Sequence, residues 1–368
     1  MKRSFNMVGI IAEYNPFHNG HLYHLNKVKE MYPDKTITLV LVGNFLNRGD
    51  VSIIDKFDKT KLALKYGVDL VIELPFVFAT QSADIYAYGA IKLLDSLNCE
   101  YLVFGSESND LDKLYKIAEY QINNDIDIKK YLKQGYNYPT SLSKALEKET
   151  NLKIDTPNDL LAISYIKAIL KLKSNIKPIC IKRTNDYHSL DTNNDIISAT
   201  SIRNLLKENK DISKYVPNET LKYIKNISIE NYFYILKHQI IIDDLTKYQD
   251  VDKTLEVLLK KHIIDCNSME ELINNVKSKN YTYNKIKRCL IHILCGYTKQ
   301  ECNIDYIRIL GFNNKGQEYL NKIKKDISLP ILTNFKPLLN YELQIDKIYS
   351  LITDNEILKK ELNGPIID

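Results

Sequence analysis

Through roughly the first 200 residues, short apolar runs alternate with amphipathic stretches, and this alternation restricts the fold more than any other feature. Runs of about six branched residues are too short for buried helices and read as strands covered on both faces. Residues 7–12, 36–42, 69–74, 101–104 and 176–181 are the strand candidates. Residues 22–32, 58–66, 85–97 and 111–123 between them have helical spacing. Repeated β-α-β units of this kind build an α/β fold with a largely parallel, Rossmann-like sheet.

The texture changes near residue 211. From there to residue 368 the chain is rich in Lys, Ile, Leu, Asn and Tyr at helical spacing, as in 251–262, 269–277 and 284–294, with few strand candidates. A mainly α-helical C-terminal domain over residues 211–368 is therefore expected beside an N-terminal domain of residues 1–210. The length of 368 residues suits two domains, and no Gly/Ser/Pro linker marks the junction. No apolar run approaches the roughly 20 residues that cross a bilayer, and no cleavage pattern follows the N-terminal apolar run. The six cysteines contain no C-x-x-C pair. They read as reduced thiols of a cytoplasmic protein, with no membrane and no stable protein partner implied.

The residues that carry chemistry lie where the first strand meets the first helix. His18, His21 and His24 fall within seven residues, in EYNPFHNGHLYHL. Pro16 interrupts any continuous helix, and Gly20 permits close backbone approach. A loop leaving the carboxyl edge of a parallel sheet is where such folds bind ligands. Paired imidazoles there can donate hydrogen bonds to a phosphate, with the next helix's amides and dipole behind them. They would stabilise the charge that builds as an α-phosphate is attacked and pyrophosphate leaves. The metal reading is weaker, because Glu13 is the one carboxylate at ligand spacing, so no metal held by protein side chains is expected. A structural role is the third reading, and His24, inside the helix, suits capping or packing.

The run GIIAEYNPFHNGHLYHL (9–25) does not stand alone. Together with GNFLNRGD (43–50), KYGVDLVIELPFVFATQSADIYAYGA (65–90), FGSES (104–108), PNDLL (157–161), DYHS (186–189) and ISATSIR (197–203), it resembles the tRNA(Met) cytidine acetate ligase family. That family lies within the nucleotidyltransferase superfamily with a HIGH-type motif. The resemblance implies an ATP-dependent ligase that activates acetate as acetyl-adenylate, releases pyrophosphate and acetylates the wobble cytidine of elongator tRNA(Met) to N4-acetylcytidine. It makes ATP the substrate, with Mg²⁺ accompanying the nucleotide, and His18 and His21 the catalytic pair. It also assigns ATP contacts to Ile11, Ala12, Glu13, Tyr14, Asn15, Pro16, Phe17, His18, Asn19, Gly20, His21, Leu22, Tyr23 and His24, and to Gly105, Asn158 and Arg183. Ser198 and Thr200 match a segment of related adenylyltransferases that holds the β- and γ-phosphates.

Each assignment has a plainer competitor. Gly105 ends a strand, where a base or ribose could lie on bare backbone or where the chain simply turns. Asn158, Ser198 and Thr200 are equally suited to capping helices, and Arg183 to a solvated surface. Asn47, Arg48 and Asp50 follow the second strand and are candidate substrate or RNA contacts. Glu73 and Asp84 flank a segment apolar enough to wall an acetate pocket, with Gln81 and Ser82 to orient the carboxylate.

The net charge of +5 names no partner, but its distribution does more. Between Glu271 and Glu301 no acidic residue occurs, while Lys277, Lys279, Lys285, Lys287, Arg288 and Lys299 are interleaved with Tyr281, Tyr283 and Tyr297. A basic stripe with aromatic faces can hold phosphates and stack on unpaired bases, so tRNA binding is assigned to this window and to Arg48. A solvated helix face is the alternative. Lys322, Lys324 and Lys325 form a weaker second cluster. Two rival functions share the scaffold: a small-molecule adenylyltransferase of cofactor synthesis, and a non-catalytic RNA-binding protein.

Overall fold

A computed structural model describes residues 6–136, 138–154, 156–183, 195–300 and 302–368. The DYHS segment lies outside the described residues. Among the described residues, strands β1 (Met7–Ala12), β2 (Thr36–Val42), β3 (Leu70–Leu74), β4 (Tyr101–Ser106), β5 (Lys177–Lys182), β6 (Ile307–Phe312), β7 (Ile331–Leu332) and β8 (Ile366–Ile367) form one sheet. Its order is β5-β4-β1-β2-β3-β6-β7, with β8 on β6. β1 runs parallel to β2 from Met7 opposite Thr36 to Ala12 opposite Leu41. β4 is parallel to both β1 and β5, and β2 to β3. The sequence TITLVLV of β2 is buried along its whole length, as a central parallel strand requires.

The five expected strands are present, and the crossover helices Asn19–Met31, Lys56–Lys65 and Ala83–Ser96 lie between them. The first helix begins at Asn19 rather than Leu22, because His18 supplies an N-cap that hydrophobic spacing does not reveal.

The C-terminal half is mainly helical, including Lys253–Ile263, Met269–Val276 and Tyr283–Leu294. It is not wholly so. β6 returns to the sheet and pairs antiparallel with β3, Leu70 facing Phe312, and β7 and β8 join β6. Val8 and Leu39 of the sheet share one hydrophobic cluster with Leu255 and Leu290 of these helices. No short linker marks the sequence junction because packing is continuous across it.

A buried ionic cluster clamps the returning chain. Lys56 Nζ lies 2.8 Å from Glu73, 3.0 Å from Asp346 and 2.9 Å from Glu361, and Arg308 lies 3.5 Å from Glu361. These groups tie β3 and β6 to the helices Asn340–Ser350 and Glu356–Leu362. The six cysteines are free, and among the described residues no helix is long and apolar enough to cross a membrane.

Candidate active site at the carboxyl edge

β1 ends at Ala12, and the loop 13–18 carries the chain over the carboxyl edge into the helix Asn19–Met31. His18 is the N-cap. Its Nδ1 accepts the Gly20 N–H at 3.0 Å, and the Nδ1 of His21 accepts the His18 N–H at 3.3 Å. This reciprocal capping box fixes both tautomers: with each Nδ1 accepting, a neutral imidazole carries its proton on Nε2. The ring centroids are 3.8 Å apart, so the site holds two adjacent Nε2–H donors. A Cβ at Gly20 would lie 2.7 Å from His18 Cε1, which explains the glycine within H-x-G-H.

The expected use of the helix's opening amides for phosphate is not what the geometry provides. The N–H of Asn19 goes to the Tyr215 carbonyl at 3.0 Å and that of His21 to the His18 carbonyl at 2.8 Å, while that of Gly20 goes to His18 Nδ1. With those amides taken, the donors this loop has left to offer are side chains. Burial, then the charges of Arg183 and Arg203, lowers the His18 pKa to about 3. Burial and the neighbouring His18, Arg183 and His24 hold His21 well below the usual imidazole range, and burial and Arg183 bring His24 to about 4. All three histidines are neutral at physiological pH. His24 Nε2 is buried with no hydrogen-bond partner.

Gly105, Asn158 and Arg183 converge on this edge. A Cβ at Gly105 would meet Arg183 Cγ at 3.1 Å, so the arginine stem lies over bare backbone, and Arg183 N–H donates to the Ser106 carbonyl at 3.0 Å. Arg183 Nε is buried and unpartnered. Thr156, not Asn158, is the N-cap of the helix Pro157–Lys171. Asn158 Nδ2 instead donates to Glu107 at 2.5 Å, and Ser106 Oγ donates to Asp159 at 2.5 Å. These bonds lock FGSES onto PNDLL.

Ser198 is the N-cap of the helix Ala199–Lys207, its Oγ accepting the Ser201 N–H at 3.1 Å, and Thr200 Oγ1 accepts from Arg203 at 3.3 Å. Two groups that the sequence reading did not assign to the site stand against the histidine loop. Arg203 Nη1 donates to the Asn15 carbonyl at 2.8 Å; it was visible as the last residue of ISATSIR. Lys59 Nζ donates to the carbonyls of Glu13, Val42 and Gly43 at 3.0, 2.7 and 2.7 Å, pinning the ends of β1 and β2. No spacing in KFDKTKLALK separates it from a solvated lysine.

Other candidates are occupied elsewhere. Of the two residues flanking the segment expected to wall an acetate pocket, Glu73 belongs to the Lys56 cluster, and Asp84 accepts from Ser164 and Lys167, both at 2.7 Å. In the basic window, Tyr281 is buried with its hydroxyl on Asp252 at 2.6 Å, and Tyr297 is buried as well. Their rings are core rather than stacking faces. Lys287 is also buried and donates to Asp50. Lys277, Lys279, Thr282 and Tyr283 line a cavity of about 310 Å³ beside Gly135. Tyr283 is partly exposed, and its hydroxyl donates to Glu270 at 2.5 Å.

The HIGH Nucleotidyl Transferase family model matches residues 5–363. The chain is similar to the tRNA(Met) cytidine acetate ligase of Thermoanaerobacter sp. (strain X514), 41% identical over 356 residues that cover 89% of this chain and 88% of that one. It is similar to the protein of the same name from Anoxybacillus flavithermus, 36% identical over 395 residues that cover 97% and 98%. Crystal structures of Thermotoga maritima TmcAL share the fold: the apo form with TM-score 0.89 at 29% identity, and the form bound with alpha-thio ATP with TM-score 0.86 at 30% identity. Each covers 98% of this chain and 99% of the other. On the HIGH motif, the sheet that presents it and these relationships along nearly the whole chain, this protein belongs to the tRNA(Met) cytidine acetate ligase family of HIGH-type nucleotidyltransferases.

Proposed function

We propose that the chain uses ATP to activate acetate and transfers the acetyl group to the wobble cytidine of elongator tRNA(Met), giving N4-acetylcytidine. The observation that carries the reading is the pair of Nε2–H donors of His18 and His21 at the end of β1. An acetate oxygen attacks the α-phosphorus, the bond from the α-phosphorus to the bridging oxygen breaks, and pyrophosphate leaves with acetyl-adenylate formed. The cytidine N4 then attacks the acetyl carbon; AMP departs and the amine loses a proton. The histidine pair and the guanidinium groups of Arg183 and Arg203 stabilise the phosphoryl charge in the first step, which needs positioning more than an enzymic nucleophile.

Neutral histidines matter here, because a donor that carries no charge of its own does not hold pyrophosphate back by ion pairing. Gly105 and Asn158 would receive the nucleoside end. Mg²⁺ fits as a companion of the nucleotide: the local donor set is imidazole and guanidinium, and Glu13 already accepts the Asn47 N–H at 2.9 Å. The RNA would meet Arg48 and the exposed cations of the basic window, Lys277 and Lys279 foremost.

The test incubates purified protein with labelled ATP, acetate and tRNA, following pyrophosphate release and acetylation of the tRNA. Acetate-dependent release with acetylated tRNA is expected. Adenylylation of a phosphate ester instead would sink the reading. His21→Ala should abolish adenylate formation and keep tRNA affinity.

A further inference from the structure

The hairpin 45–51 follows β2 and closes on itself: Phe45 bridges Val51, and the Leu46 N–H donates to the Asp50 carbonyl at 2.9 Å. Its tip is pressed onto the helix Tyr283–Leu294. Gly49 has φ +77°, and a Cβ there would lie 2.5 Å from the Lys287 carbonyl carbon and 2.6 Å from the Arg288 nitrogen. The next residue, Asp50, accepts from Lys287 Nζ on that helix. Its other carboxylate oxygen lies 3.9 Å from Arg203 Nη2.

Arg203 in turn donates through Nη1 to the Asn15 carbonyl, three residues before His18. Burial would raise the Asp50 pKa, but Lys287 and Arg203 outweigh it and hold the carboxyl below its usual range. The carboxylate is therefore a fixed negative charge between two cations from different parts of the chain. One cation belongs to the helix of the basic window, the other to the nucleotide edge. The guanidinium is held through Nη1 by the Asn15 carbonyl and through Nη2 by Thr200 Oγ1 at 3.3 Å, and Asp50 is the anion that stands beside that same Nη2.

We infer that Asp50 is a positioning residue: its carboxylate, anchored by Lys287, aims the Arg203 guanidinium at the phosphates bound by the His18–His21 loop. This rests on the ligase reading and adds to it a route by which the basic-window helix sets the geometry of ATP binding. Lys287 then serves as the anchor of that route rather than as a free phosphate contact.

The experiment measures acetate-dependent ATP–pyrophosphate exchange without tRNA for the wild-type chain, Asp50→Asn, Asp50→Glu, Lys287→Met and the double variant Asp50→Asn with Lys287→Met. Thermal melts are run alongside. A misaligned guanidinium should raise the KM for ATP roughly tenfold in Asp50→Asn, a change that a mere loss of folded enzyme would not produce. Asp50→Glu should restore most of it. Lys287→Met should raise the same KM, and the double variant should be no worse than Asp50→Asn, because both remove one link. An unchanged KM for ATP in Lys287→Met, which holds even if Asp50→Asn fails to fold, would overturn the inference, as would additive effects in the double variant. A wild-type chain lacking the exchange would instead refute the ligase reading.

Discussion

The imidazoles of His18 and His21 stand with centroids 3.8 Å apart, each with its Nδ1 given to a backbone N–H and its Nε2 left to act. The same two bonds that begin a helix thus set which nitrogen of each imidazole carries the proton.

Neutral histidines make the first prediction. Their pKa values lie below the unfolded value of about 6.5, so between that pH and about 3 to 4 the unfolded chain binds more protons than the folded one. Stability is present above pH 6.5 and is lost as pH falls. At pH 5 His18 alone contributes about 2 kcal/mol of this loss. The rate of acetate-dependent exchange, by contrast, should show no inflection near pH 6.5 from these residues. A kcat that fell with an apparent pKa near 6.5 as the pH was lowered would contradict the neutral state assigned to these histidines.

Gly49→Ala should be costly for two reasons at once. The residue has φ +77° and its new methyl group would meet the Lys287–Arg288 peptide. A destabilisation of about 1–3 kcal/mol is expected from backbone strain of this kind. Differential scanning calorimetry would read it. A melt superimposable on that of the wild type would show that the hairpin tip does not press on the helix.

Lys59→Met removes an ammonium that satisfies three carbonyls. Each buried acceptor left unpaired costs about 1–3 kcal/mol, and the carbonyls concerned belong to Glu13, Val42 and Gly43, where β1 and β2 end. Loss of stability should therefore be accompanied by faster amide hydrogen exchange in residues 13–18 and 43–50. Exchange that quickened elsewhere, with these loops unchanged, would remove Lys59 from the site's supporting shell.

The parallel core, the first-strand loop and the histidine pair were legible because each rests on a local signal: strand-length apolar runs, Pro16, and H-x-G-H. What the sequence hid was long-range pairing. IRILGF of β6 is one apolar run in a Lys/Asn-rich half, and nothing local says that it will pair antiparallel with β3. The tyrosines of the basic window misled for a related reason, since Tyr281 and Tyr297 flank the helix Tyr283–Leu294 with their rings buried in the core, while charge counting sees only their neighbours. Lys287 was read as an RNA contact because its partner, Asp50, lies 237 residues away.

Glu342 offers a last test, on the buried cluster. Its carboxylate accepts the Phe76 N–H at 3.0 Å and the Tyr306 hydroxyl at 3.3 Å. Burial, then Glu73, raises its pKa to about 8, against the pull of Lys56. A raised carboxyl pKa stabilises the fold below the ordinary carboxylate range, and that contribution is lost as pH rises through about 8. Glu342→Gln keeps an acceptor for both bonds and cannot ionise. Melting temperatures at pH 6 and pH 9 should thus fall further for the wild type than for the variant, and Glu342→Gln should be at least as stable as the wild type at pH 9. Equal falls would mean that Glu342 is already ionised at neutral pH, with Lys56 carrying its charge.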